Sequence, residues 1–408
     1  MKVILFFILS FISQSVHAST LDVCSTCTYM DIESAYSKCM VGDTMLIKHG
    51  EYKIENWIID KAIIVKGESG AHLISASGDE IITVTSNDVT IEGLTFSGVT
   101  TNYLKENAAI RIRKSRRFLI LDNKINDCFF AIYLEKAKQG SVINNLIDGD
   151  ASSDAASGNG IHAWHCDKLK IINNEILHHR DGIYLEFVNN SDVDKNHSHL
   201  NNRYGLHYMF SNDDTYTENV IERNGVGVAV MFSRRITMKN NTFAYNWGHA
   251  AYGLLLKEIY DAEIIDNHFI ENTVGIFVEG SNRINYLRNE FRRNGWAIKF
   301  SGGCDANVIK YNNFLYNSID LVVSSKLSNN TFNDNYWSEY TGYDLDKDGV
   351  GDIPHYPVKL YSYIHQQVPE SVVLMRSLFV DIINYAEKVS PVFTPKDVMD
   401  KTPKMKQL

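Results

Sequence analysis

From about residue 123 onward, an asparagine followed two places later by an apolar residue returns again and again. The fullest copies read Asn-x-(Phe/Ile)-x-x-Asn-x-x-Gly-(Ile/Leu/Val). Copies begin at Asn123, Asn145, Asn174, Asn196, Asn219, Asn241, Asn267, Asn289, Asn312 and Asn330, at spacings of 22, 29, 22, 23, 22, 26, 22, 23 and 18. A period near 22 residues defines a structural unit that stacks on copies of itself. Within a unit, short alternating segments such as Gly182-Ile183-Tyr184-Leu185-Glu186 are separated by Asn, Asp and Gly, which favours strands and turns over helices. Such a unit cannot bury its own apolar face. Coils stacked at a strand spacing of roughly 4.8 Å can, and they also satisfy one another's backbone groups.

The expected fold is all-β: a right-handed parallel β-helix, a solenoid of ~22-residue coils, with an N-terminal helical cap and a C-terminal helical segment. The recurring asparagines are expected to stack into ladders at a turn. A leucine-rich repeat is the rival, but its Leu-x-x-Leu-x-Leu frame is missing. Asp31-Ile32-Glu33-Ser34-Ala35 reads as a short helix capping the open end of the stack. The organisation expected is a leader at 1–18, the cap and first coil at 19–61, the β-helix at 62–337, an Asp-rich loop region at 338–369, and an amphipathic helix with its tail at 370–408. Glu370 to Lys388 is expected to be one helix, with Val373, Leu374, Leu378, Ile382 and Ala386 as its apolar stripe.

Composition narrows the function. Forty basic against 49 acidic residues, a formal charge of -9, and no basic tail argue against nucleic-acid binding. Lys2, the apolar run Val3 to Ile12, and Val16-His17-Ala18 together read as an export leader cleaved after Ala18. No other stretch reads as membrane-spanning, since the apolar run Val372 to Ile383 is broken by Arg376, Ser377 and Asp381.

The repeat also sorts side chains, because strand residues alternate between interior and exterior. The first and third followers of the repeat glycine are apolar, so the second and fourth face outward. They form two columns: His162, Tyr184, His207, Ala229, Leu255, Phe277 and Lys299, then Trp164, Glu186, Met209, Met231, Lys257, Glu279 and Ser301. An exposed face bearing His162, Glu186, His207, Met209 and Met231 reads as a contact surface, and its imidazole and thioether donors suit monovalent copper bound in transit. His165 and Cys166 are further soft donors nearby. Other readings of the face are protein docking without metal, or cover by a loop or the C-terminal segment. His49, His197, His268 and His365 read as ordinary surface or turn residues.

Three further groups stand out. Asp344, Asp346, Asp348 and Asp352, with Gly349 and Gly351, resemble a calcium-type loop, although His355 stands where an EF-hand carries its bidentate Glu. Cys24, Cys27 and Cys39 cluster in the cap; a bridge to Cys39 is plausible, three pairings are open, and Cys24-x-x-Cys27 alternatively suggests metal capture or redox exchange. Cys128 and Cys304 read as buried thiols. Asp213-Asp214 is the close carboxylate pair a polysaccharide-cleaving enzyme would need, and the bland reading is a pair of turn-forming acids.

Five stretches carry a resemblance: Asp181–Phe187, Arg203–Asp214, Gly227–Met231, Ala251–Lys257 and Tyr340–Pro354. They are similar to those of the NosD family, periplasmic accessory proteins for maturation of nitrous oxide reductase. The similarity runs from about Gly42 to the C-terminus and includes Arg376-Ser377 and Thr394-Pro395, while the cap Cys24 to Cys39 departs from the family pattern. The resemblance implies a periplasmic, non-enzymatic β-helix of the carbohydrate-binding and sugar-hydrolase fold group. It implies work with an ABC transporter (ATPase and permease subunits) and a copper-chaperone lipoprotein in building the copper-sulfide site of the reductase during denitrification. No Gly-x-x-x-x-Gly-Lys-(Ser/Thr) loop occurs, consistent with ATP hydrolysis by a separate subunit. Rival classes are a carbohydrate-active enzyme (a uronate polymer lyase, hydrolase or epimerase) and a purely mechanical docking subunit.

Overall fold

The computed structural model describes residues 18–150, 158–248, 251–324, 327, 329–374, 377–389 and 398–408. The leader lies almost wholly outside the described residues. The chain winds as a right-handed parallel β-helix whose described strands form three parallel sheets of 14, 12 and 13 strands. From Ala108 to Ser301 each coil contributes one strand of six residues, such as Tyr204–Met209, to the 12-stranded sheet, and two of three residues, such as Thr215–Thr217 and Val220–Glu222, to the others.

Why the asparagines recur is visible at the turn between the two short strands. The residue before each ladder asparagine is left-handed, for example Asn144, Asn173, Lys195 and Glu218 at φ 56°, 54°, 55° and 52°. That turn strands backbone N–H and C=O groups inside the coil, and burying them unpaired would be costly. The asparagine amide resolves both. Asn196 Oδ1 accepts from Asn174 N and Nδ2 at 3.0 and 2.9 Å, while Asn196 Nδ2 donates to Ile171 O at 2.8 Å. The same pattern runs from Asn123 to Asn312 and then continues to Asn335, not Asn330: Asn312 Nδ2 donates to Asn335 Oδ1 at 2.9 Å. The irregular spacing of 18 is thereby corrected. Asn330 serves a different corner, accepting from Asn307 N at 2.8 Å.

A second ladder, Asn201–Asn224–Asn246–Asn272–Asn294–Asn317, supports the neighbouring turn. Between the ladders the interior is apolar, with Phe243, Phe269, Phe291, Phe314 and Trp337 stacked at centroid distances of 4.8, 5.0, 4.9 and 4.0 Å.

Both ends are closed. Helix α1 (Ile32–Lys38) starts at Asp31, whose carboxylate accepts from Ser34 N at 2.7 Å, and buries Ile32 and Ala35. At the far end the chain returns after two helices, α2 (Leu360–Gln367) and α3 (Leu378–Val389), and residues 398–408 lie against the last coil. The single helix expected from Glu370 to Lys388 is instead a 3-10 turn, Pro369–Leu374, followed by α3. Ser377 begins the new helix, its hydroxyl accepting from Val380 N at 3.4 Å and its carbonyl from Asp381 N at 3.1 Å. The expected stripe is also reversed. Val380 is buried, with Ile383 beside it, against Trp296, Ile319, Val322 and Tyr361, whereas Leu378 and Ile382 are 74% and 57% exposed. A helical period identifies an apolar face but not what packs on it, and here the apolar surface exceeds one stripe.

Candidate functional site

The long strands of the 12-stranded sheet align the two expected columns in register: His162↔Tyr184↔His207↔Ala229 and Trp164↔Glu186↔Met209↔Met231. Leu206 and Tyr208 point into the coil, so His207 between them points out. The columns are not equally accessible. His162 and His207 are only 7% and 6% exposed, which overturns their expected placement on an open surface. Alternation gives direction, whereas burial here comes from stacking: Tyr133 lies on His162 at 4.5 Å and 9°, and Tyr184 lies on His207 at 4.5 Å and 19°.

A buried polar cluster anchors this column. Asp181, fully buried, receives Arg203 Nε and Nη2 at 2.8 and 2.5 Å and stands 3.3 Å from His207 Nδ1. Burial alone would raise the Asp181 pKa, but hydrogen bonds from His207 and Arg203 outweigh it and hold the carboxylate below its ordinary range. The convergence depends on Gly182, where a Cβ would overlap the Ser198 side chain and stand 2.6 Å from Gly205 O. Burial and the Arg180 charge push the His162 pKa down to about 3, so its ring is neutral. Asn159 Nδ2 donates to its Nδ1 at 3.4 Å. The Nε2 atoms of both histidines are buried without a hydrogen-bond partner.

The second column is open. Trp164, Glu186, Met209 and Met231 are all half-buried, and Tyr184 OH donates to Met209 Sδ at 3.6 Å. Met209 and Met231 are register partners on neighbouring strands, so the two thioethers share one patch. At the corner beyond, His165, Phe187, Phe210 and Phe232 stack at 4.6, 5.0 and 5.2 Å with φ between 51° and 54°. A left-handed conformation costs a non-glycine residue about 1–2 kcal/mol, and each stacked aromatic pair recovers about 0.5–1.5 kcal/mol. This exposed aromatic rail lies outside the two outward columns that alternation defines, and its sequence signal is a Phe five places after Gly182, Gly205 and Gly227.

Cys166 is no soft donor on this face. It is buried, its thiol donates to Leu134 O at 3.3 Å, and burial pushes its pKa up to about 12. Cys128 and Cys304 are likewise buried thiols. In the cap the disulfide joins Cys24 to Cys27, with Cα atoms 5.0 Å apart, and Cys39 is free. The expected bridge to Cys39 is thus corrected: Cys39 ends α1 with its side chain in the core.

Asp213 and Asp214 do not form a pair of acids. Asp213 is bound to Arg235 at 2.5 and 2.8 Å on the outside. Asp214 is buried, accepting from Ser191 N at 2.8 Å and Tyr216 OH at 3.3 Å. In the Asp-rich turn, Asp344, Asp346 and Asp348 each offer an oxygen within 4.8 Å of the others. Asp352 stands outside that group, because its Oδ2 closes the loop by accepting from Leu345 N at 2.7 Å.

Fold and face together define a class: a capped right-handed β-helix presenting a methionine- and aromatic-rich strip beside a buried His/Asp/Arg cluster. Residues 143–342 match the family described as "Periplasmic copper-binding protein (NosD)". Two curated relatives carry the name "Probable ABC transporter binding protein NosD". The one from Stutzerimonas stutzeri is 27% identical over 377 residues, covering 88% of this chain and 85% of the relative. The one from Pseudomonas aeruginosa is 27% identical over 372 residues, covering 86% of each. The chain is thus similar to the NosD family over these residues and to both relatives over most of its length.

Among solved structures, the periplasmic alginate epimerase AlgG aligns with a TM-score of 0.51 at 12% identity, over 74% of this chain and 83% of that one. A family 28 exopolygalacturonase of Yersinia enterocolitica aligns with a TM-score of 0.55 at 11% identity, over 74% of each. At these identities the likeness is one of fold. No helix among the described residues is long and apolar enough to cross a membrane.

Proposed function

We propose that this chain is a periplasmic, non-catalytic accessory subunit that receives and presents monovalent copper for the copper-sulfide site of nitrous oxide reductase. It works beside a copper-chaperone lipoprotein and docks on an ABC transporter. The observation that carries this reading is the half-buried Met209–Met231 pair, aligned in register and flanked by Glu186 and Tyr184. Thioethers are soft ligands suited to Cu(I), and two of them on an open strip suit an ion that must leave again. His162 and His207 flank the strip in the neighbouring column, with their unpartnered Nε2 atoms as reserve donors. The family description and the names of the relatives support copper and transporter roles of this kind.

A carbohydrate enzyme is less well supported, since Asp213 and Asp214 point to opposite sides of the coil wall. A docking role is favoured by the exposed apolar face of α3, which carries Leu378, Phe379, Ile382 and Tyr385.

The test is anaerobic Cu(I) competition against a chromophoric chelator, together with a reductase maturation assay. Met209→Leu with Met231→Leu keeps volume and apolarity while removing both sulfurs, so folding is retained and Cu(I) affinity and maturation fall. Undiminished Cu(I) binding with normal maturation in that variant removes this strip as the copper site. Lost maturation with undiminished binding favours docking.

A further inference from the structure

The outer face of the 13-stranded sheet carries a second constellation, away from the Met209–Met231 strip. Strand Glu175–Leu177 pairs with His197–His199, which pairs with Val220–Glu222, in the register Glu175↔His197 and His199↔Glu222. Ser198 is fully buried, so the histidines on either side of it both face outward. Their rings stack with centroids 4.1 Å apart. Carboxylates reach them diagonally from both flanks: His199 Nε2 is 3.3 Å from Glu175 Oε1, and His197 Nε2 is 3.2 Å from Glu222 Oε1. One donor atom from each of Glu175, His197 and His199 lies within 4.8 Å of the other two.

We propose that His197, His199 and Glu175 form a binding site for a divalent transition ion, with Glu222 as fourth ligand or as the partner that orients His197. Two imidazoles with carboxylates are a borderline nitrogen and oxygen set, unlike the thioether strip. Among divalent ions such a set holds Cu(II) most tightly. Ligand distances of about 2.0–2.2 Å require the three donors to close by roughly 1 Å, which side-chain rotation allows because Glu175 is exposed and both histidines are half-buried. On binding, each Nε2 exchanges its carboxylate contact for the ion. Two carboxylates then balance the charge of a dication. Arg223 Nη1 stands 3.8 Å from Glu222 Oε1 and competes for that carboxylate, which makes Glu175 the principal acid. Single pairs such as His178–Asp148 occur elsewhere on the surface; here two imidazoles from one strand converge with acids from both neighbours.

The test uses the full exported chain without an affinity tag, titrated with Cu(II) against glycine as competitor and followed by electron paramagnetic resonance. One ion per chain is expected, with an axial spectrum split by imidazole nitrogens. His197→Gln with His199→Gln should lose that spectrum and weaken binding by about 100-fold or more, while circular dichroism and unfolding in EDTA stay unchanged. Met209→Leu with Met231→Leu, and separately His178→Gln, should keep it, so failure here is distinguishable from failure of the Cu(I) strip. Retention of the spectrum by the double histidine variant, its loss in His178→Gln, or no Cu(II) held against glycine overturns the proposal.

Discussion

Asn335, the last asparagine of the long ladder, hands its amides to Asp400, 65 residues further along the chain: Asn335 N and Nδ2 donate to Asp400 Oδ2 at 3.1 and 3.0 Å. Trp337 Nε1 donates to the same oxygen at 3.0 Å. The C-terminal return thus supplies the acceptor that the next coil would have provided. Asp400→Ala strands two buried donors, Asn335 N and Trp337 Nε1, since Asn335 Nδ2 keeps Ile309 O and Asn333 O, and each stranded donor costs about 1–3 kcal/mol. The expected outcome in denaturant unfolding is a loss of several kcal/mol, with Asp400→Asn, which keeps an acceptor oxygen, falling between. An Asp400→Ala protein as stable as the wild type would show that the return does not cap the stack.

Asp214 makes stability depend on pH in a stated direction. Burial pushes its pKa up to about 8, against the hydrogen bonds from Ser191 N and Tyr216. A carboxyl whose folded pKa is raised stabilises fully below its unfolded pKa near 4, and that contribution is lost as pH rises through about 8. Asp214→Asn keeps the acceptor for Ser191 N and removes the charge. Melting at pH 5 and pH 8.5 should therefore show a smaller fall for the variant than for the wild type. Equal slopes would mean that Asp214 is charged in the fold.

The exposed side of α3 separates docking from capping. Deleting everything after Pro369 would also remove Asp400 and the cap, so point substitutions are the cleaner probe. Leu378→Ser, Phe379→Ser and Ile382→Ser lie on the exposed face, and exposed changes of this kind usually alter stability by less than about 0.5 kcal/mol each. Unchanged unfolding with lost co-purification of the transporter is expected. Retained co-purification would move the contact elsewhere, and unfolding would make the helix part of the core.

The Asp344, Asp346 and Asp348 turn is read as a hard-cation loop. It lies against the C-terminal return, with Met405 N donating to Gly349 O at 3.1 Å and Gly351 N to Pro403 O at 2.8 Å. Calcium at 100 times its dissociation constant would add about 2.7 kcal/mol. A rise in melting temperature that EGTA reverses and Asp346→Asn with Asp348→Asn abolishes is expected. No calcium response would leave a plain turn, closed by its own N–H bonds to Asp344, Asp346 and Asp348.

The sequence by itself determined the architecture, because a 22-residue period and strand alternation are one-dimensional signals. From them came the coils, the asparagine ladder as far as Asn312, the short helix after Asp31, and the inward or outward direction of residues 206–209. What lay outside those signals needed the tertiary structure. Asn330 fits the repeat better than Asn335, which is followed by Trp337 where the repeat has Phe or Ile, yet the neighbouring coil chooses Asn335. His162 and His207 point outward as alternation requires, yet rings contributed by Tyr133 and Tyr184 from other coils bury them. Cys24 pairs with Cys27 because α1 turns Cys39 into the core. His197 and His199 pass for ordinary surface residues until three consecutive coils bring Glu175 and Glu222 beside them. Periodicity reports the direction of each side chain along one strand; which groups meet depends on register between strands some 22 residues apart, and that is decided only when the coils stack.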